Sequence, residues 1–125
     1  MARKESPTLT ESELRLMNVL WDRGPSTVKD VLDALPADPP LAYTTILTTL
    51  RILEEKGYLD HEKDGRAFLY KPRVPREQAR QSALRHVLSR FFENSAEQLV
   101  SNLLKSEKLS SAEMKRLRKL VEEAK

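Results

Sequence analysis

Four threonines and an arginine stand close together in Ala42-Tyr-Thr-Thr-Ile-Leu-Thr-Thr-Leu-Arg51. Their chemistry is recognition. A threonine hydroxyl hydrogen-bonds a base edge or a phosphate while its methyl packs on a thymine methyl, and an arginine fork grips guanine or a phosphate. Threonine costs a few tenths to ~0.7 kcal/mol relative to alanine in a helix, so four in one helical stretch ask for a reason. An exposed threonine by itself is ordinary solvated surface, and the surrounding elements must decide its meaning. A second cationic pair, Lys63 and Arg66, flanks Asp64-Gly65. It suits phosphate contact or insertion into a minor groove, although Asp60, Glu62 and Asp64 are interleaved with it.

Other chemistries lack residues. The two histidines, His61 and His86, are far apart and have no carboxylate constellation; His61 reads as a strand residue with no special role. No Gly-rich phosphate loop, nucleophile motif or metal triad is present, so no enzyme, metal or cofactor is expected. The absence of cysteine excludes disulfides, zinc fingers and thiolate sensing.

The elements that position these residues follow from periodicity. Thr10 with Glu13 forms a capping box, and Leu9 with Leu14 a staple around it. Leu14, Met17, Leu20 and Trp21 give that helix its apolar face, and Gly24-Pro25 ends it. Ser26 is the expected cap of a second helix carrying Val28, Val31, Leu32 and Leu35, ended by Pro36. A third helix spans about Ala42 to Lys56 and stops at Gly57. Its stripe of Ile46, Leu50 and Leu53 puts Thr44, Thr48, Arg51 and Glu55 on the opposite side, with Thr45 and Ile52 flanking them. Two alternating runs, Tyr58–Lys63 and Arg66–Lys71, then flank Asp64-Gly65, a strong hairpin signal. Three helices followed by a hairpin is the winged-helix order, with the third helix fit for a major groove about 12 Å wide. The candidate DNA contacts are Tyr43, Thr44, Thr45, Thr48, Thr49, Arg51, Lys63 and Arg66.

After Pro75 the pattern stays helical, with Ser95/Gln98 and Ser110/Glu113 opening two further helices. Each apolar face is narrow, and about fifty residues without disulfide or metal do not close a core of their own. Leu84, Val87, Leu88, Phe91, Leu99, Leu103, Leu104, Leu117, Leu120 and Val121 are therefore the expected seam of a homodimer. The expectation is a mainly α protein with a small β-hairpin: a winged helix-turn-helix DNA-binding domain over residues 1–72 and a helical dimerisation domain over 73–125.

Composition sets the outer bounds. A chain of 125 residues suits one domain, or one small domain with an appendage. With 39% hydrophobic and 33% charged residues it is polar for a monomer, which favours a partner chain that completes its core. No apolar stretch follows the opening residues, so neither a signal peptide nor membrane insertion is expected and the cytoplasm is the default location. The net charge of +3 hides an asymmetry. Residues 1–72 hold 10 Lys and Arg against 12 Asp and Glu, a net of −2; residues 73–125 hold 12 against 7, a net of +5. Positive potential at the DNA must be local, or come from Arg73, Arg76 and Arg80. The acidic count keeps open an alternative: a winged helix used for protein contact, without DNA.

Leu9-Thr-Glu-Ser-Glu-Leu-Arg-Leu-Met-Asn-Val-Leu-Trp21, Ala42-Tyr-Thr-Thr-Ile-Leu-Thr-Thr-Leu, Leu53-Glu-Glu-Lys-Gly57 and His61-Glu-Lys-Asp-Gly-Arg66 with Tyr70 resemble the penicillinase-repressor (BlaI/MecI) family of bacterial regulators. The resemblance implies a homodimeric repressor on a dyad operator of double-stranded DNA, with Thr44, Thr45, Thr48 and Arg51 at the bases. It also implies inactivation by cleavage in the C-terminal segment, often signalled by a membrane-bound sensor metalloprotease. Well-known members are cut at Asn-Phe; the matching peptide here is Asn102-Leu103. The copper-responsive branch uses cysteine pairs that this chain lacks.

Overall fold

The computed structural model describes residues 8–124; the polar tail expected over residues 1–8 lies, apart from Thr8, outside them. Helices α1 (Glu11–Arg23), α2 (Val28–Ala34) and α3 (Tyr43–Glu55) precede an antiparallel hairpin of β1 (Leu59–Asp64) and β2 (Ala67–Pro72). Helices α4 (Arg76–Phe91), α5 (Ala96–Ser106) and α6 (Ser111–Glu123) follow. The winged-helix order expected from the sequence is the order observed. The chain divides into two compact units, one running through His86 and the other from Val87. That geometric break falls inside α4, later than the functional division expected at residue 72.

Local chemistry explains the starts of α1 and α2. Thr10 Oγ1 accepts the Glu13 N–H at 3.1 Å, and Glu13 Oε1 accepts the Thr10 N–H at 2.8 Å, closing the expected capping box. Gly24, at φ +88°, ends α1. The buried side of α1 is Leu16, Met17 and Leu20. Leu14, expected among them, is 43% exposed; it lies on the flank of that face with Trp21, where both line a groove with Leu9 and Ala79. The cap of α2 also differs from expectation. Thr27, not Ser26, caps it, in a second capping box with Asp30. Ser26 is buried and exchanges two backbone hydrogen bonds of 2.8 Å with Tyr70, which fixes the base of the hairpin.

The core gathers one face of each element: Leu16, Met17 and Leu20 of α1, Val28 and Val31 of α2, Ile46, Leu50 and Leu53 of α3, then Tyr58, Leu59, Tyr70 and Val74. Polar ties hold its edges. Arg15 donates to the carbonyls of Pro36 (2.9 Å) and Pro39 (2.6 Å), steadying the α2–α3 connection. Lys56, at the end of α3, donates to Glu13 at 2.7 Å. Trp21 Nε1 donates to the Val74 carbonyl at 2.9 Å, and Arg76 lies 5.3 Å over the Trp21 ring while pairing with Asp22.

The second unit is built differently. Phe92, Glu93 and Asn94 turn the chain; Glu93 (φ +48°) and Asn94 (φ +62°) adopt left-handed backbone. Ser95 then caps α5 and a Ser110/Glu113 capping box opens α6, as the sequence predicts. No side chain from residue 87 to 124 is buried.

Candidate nucleic-acid interface

The α3 helix is anchored from behind and open in front. Ile46, Leu50 and Leu53 are wholly buried, so helical geometry turns the other side outward. Thr44, Thr45, Thr48 and Arg51 are exposed, as are Tyr43 at the first helical position and Ile52 on the flank. Thr49 differs from the rest: it is half-buried and its hydroxyl donates to the Thr45 carbonyl at 2.8 Å. The result is a helix face of methyls and hydroxyls ending in a guanidinium.

The hairpin sits beside this face, and its register corrects the turn read from sequence. Asp64 pairs with Ala67, so the two residues at the tip are Gly65 and Arg66 rather than Asp64 and Gly65. Only Gly65 of the two has positive φ, +65°, which matches a turn with glycine at its first central position. Arg66 thereby stands at the tip itself. Strand alternation also sorts the charges. Asp60, Glu62 and Asp64 share one face of β1, where Glu62 pairs with Lys71 at 3.1 Å. His61 and Lys63 share the other face. The interleaved acid of the sequence is thus separated in space from Lys63.

The face that carries His61 meets α3. His61 Nδ1 lies 2.8 Å from both Glu54 carboxylate oxygens. Its ring packs on Phe68 at 4.7 Å and Tyr70 at 5.6 Å between centroids. Burial, followed by the nearby Glu54 carboxylate, pushes the Tyr70 hydroxyl above the ordinary phenol value, against the opposing positive charge of Arg51. Sequence reasoning missed this cluster, because Glu54 and His61 are seven residues apart and belong to different elements. Of the arginines suggested as a source of positive potential, Arg76 is engaged by Asp22 and Trp21, and Arg80 lies 3.5 Å from Glu77. Among the described residues no His, Asp and Glu group is arranged to hold a metal ion, and no helix is long and apolar enough to cross a membrane.

The expected dimer-seam residues are at the surface of the single chain. Leu84, Val87, Phe91, Leu103, Leu104, Leu117, Leu120 and Val121 are exposed, while Leu88 and Leu99 are half-buried. Val100 and Met114, exposed on the same helices, extend the apolar surface beyond the residues expected from sequence. The Asn102–Leu103 peptide lies inside α5, where Asn102 Nδ2 donates to Gln98 and the Asn102 carbonyl accepts from Ser106 Oγ at 2.7 Å.

Comparison with known proteins is consistent along the chain. The family model for the penicillinase repressor matches residues 9–123. The penicillinase repressor of Bacillus licheniformis is 30% identical over 122 residues, covering 98% of this chain and 95% of that protein. The solution structure of the DNA-binding domain of the repressor BlaI matches with a TM-score of 0.53 at 32% identity, over 60% of this chain and 92% of that one. The Bacillus licheniformis BlaI monomeric form, solved in complex with the blaP half-operator, matches with a TM-score of 0.50 at 32% identity and the same coverage.

Proposed function

Because the chain belongs to the penicillinase repressor family, a family of regulators rather than enzymes, we propose that it represses transcription in the cytoplasm by binding a dyad operator as a homodimer. Residues 1–72 form the DNA-binding domain and residues 73–125 the dimerisation domain. Thr44, Thr45, Thr48 and Arg51 face the bases, with Tyr43 and Thr49 at the edge of the contact. Lys63 and Arg66 reach the flanking backbone from the wing. The observation that carries this reading is the division of α3 into a fully buried stripe and an exposed threonine–arginine face. The half-operator complex of the relative supports the choice of duplex DNA as partner.

Dimerisation is supported by the lack of any buried side chain between residues 87 and 124. Burying a Leu or Phe side chain contributes about 1.5–3 kcal/mol, so a handful of the exposed seam residues offsets an association cost of about 4–15 kcal/mol. Two linked reading heads raise avidity by roughly 10²–10⁴-fold on a dyad site. Cleavage at Asn102–Leu103 removes that gain and leaves the reading heads intact, which gives a sensor metalloprotease a means of induction. The bond lies within a helix, so α5 must open before a protease takes it.

The test is fluorescence anisotropy of the full chain with the duplex upstream of its own gene and with random duplex, over rising salt. Preference for the upstream duplex and a steep fall in affinity with salt are expected. Equal or salt-insensitive affinity for both overturns the proposal, and would favour the protein-contact reading that the net charge of −2 over residues 1–72 supports.

A further inference from the structure

A two-stranded hairpin is marginal by itself, and only the base of this one is buried. Leu59 and Tyr70 are buried, whereas every residue from His61 to Phe68 is exposed. The base is held by the Ser26–Tyr70 bridge. Nothing in that bridge determines the angle of the outer half, yet the angle decides where Lys63 and Arg66 reach. A contact from α3 reaches the rung where the base gives way to the outer half: His61 Nδ1 lies 2.8 Å from both Glu54 carboxylate oxygens, and its imidazole packs on its partner Tyr70 and, toward the tip, on Phe68. Glu54 of α3 therefore holds the residue that pairs with Tyr70 across the sheet.

We infer that Glu54 and His61 are positioning residues that lock the wing to α3, so that Lys63 and Arg66 engage a duplex in register with the helix. This rests on the proposed DNA binding and names the residues that give the wing its reach. The lock also turns the Glu54 carboxylate toward an imidazole, away from phosphates that would repel it. The bridge is a single, partly exposed interaction with side chains 36% and 22% accessible, so its removal shifts affinity modestly, by roughly two- to tenfold.

A double-mutant cycle on the full chain separates this role from plain charge. In the wild type, Lys63→Ala with Arg66→Ala is expected to weaken binding to the upstream duplex and to lower the salt slope by about one for each phosphate no longer neutralised. In the Glu54→Ala background the same pair should change affinity by less than about twofold, because the wing is already out of register. Glu54→Gln, which keeps an oxygen to accept the hydrogen bond from Nδ1–H, should retain most of the wild-type affinity. Full additivity overturns the inference, as does a wing pair with no effect in the wild type. A gain in affinity on Glu54→Ala, with the wing pair still at full effect, overturns it too and marks the carboxylate as merely repulsive. An arm without DNA decides the lock independently. In free Glu54→Ala, NMR order parameters of residues 61–68 should fall while those of Leu59 and Tyr70 hold; unchanged values sink the lock. If no duplex binds but the order parameters respond, the proposed function fails and the lock stands.

Discussion

Arg51 shows how much one side chain has to do. It lies on the exposed face of α3, one turn beyond Thr48, and its charge also acts on the Tyr70 hydroxyl behind that face. Arg51→Ala is expected to weaken operator binding by about 1–3 kcal/mol if the fork reads a base, with random duplex little affected. Equal losses on operator and random duplex would make it a phosphate contact, and anisotropy titrations with both duplexes distinguish the two. Glu13 gives a prediction about stability. Burial by itself would raise its carboxyl, but hydrogen bonds from Lys56 and Thr10 outweigh burial and hold it below the ordinary value. A carboxyl depressed in the folded state adds stability that is complete above its unfolded value and drains away as pH falls through the folded one. Glu13→Gln should therefore be less stable than the wild type near pH 7, with the gap narrowing toward about pH 3. Urea midpoints at the two pH values measure it, and a gap that stays constant would refute the linkage.

Among the elements, the hairpin turn is the most demanding. Gly65 sits at φ +65° with no neighbour within 4 Å of where a Cβ would be, so any cost of a side chain there is backbone strain alone. Gly65→Ala should destabilise the chain by about 1–2 kcal/mol, and Gly65→Asn by less, because asparagine tolerates this region. Chemical denaturation of the two variants tests the order; equal stability would mean that the turn relaxes into another type. The α5 helix makes the opposite case. Its cap and side-chain bonds are in place, but no residue on it is buried. Such a helix forms readily and is weakly held until something covers it.

For the whole molecule, the apolar residues beyond Val87 are the main unbalanced term. Phe91 is 73% exposed and Val121 72%, and a repressor that buries them against a second copy should lose that copy when charge is introduced. Phe91→Asp or Leu103→Asp is expected to give monomers by sedimentation; an intact dimer in both variants would count against the seam. A chain truncated after Asn102 should keep the fold of the first unit and lose operator affinity by roughly the 10²–10⁴-fold that avidity supplies. Unchanged affinity at cellular concentration would remove the rationale for cleavage.

Local patterns in the chain determined its elements. Thr10/Glu13 and Ser110/Glu113 are complete caps within four residues, and the stripe Ile46, Leu50, Leu53 fixes the buried side of α3 by period alone; such features require no distant partner to be read. Tertiary structure decided what depends on partners distant in sequence. Ser26 was drawn out of its expected capping role by pairing with Tyr70, forty-four positions away. The turn moved by one residue because strand register, set by pairing along the whole hairpin, outranks a dipeptide preference. His61 gained a partner only when the hairpin folded back on α3. Periodicity reports which side of an element is apolar, whereas the polar contacts between elements exist only once packing has brought them within about 3 Å.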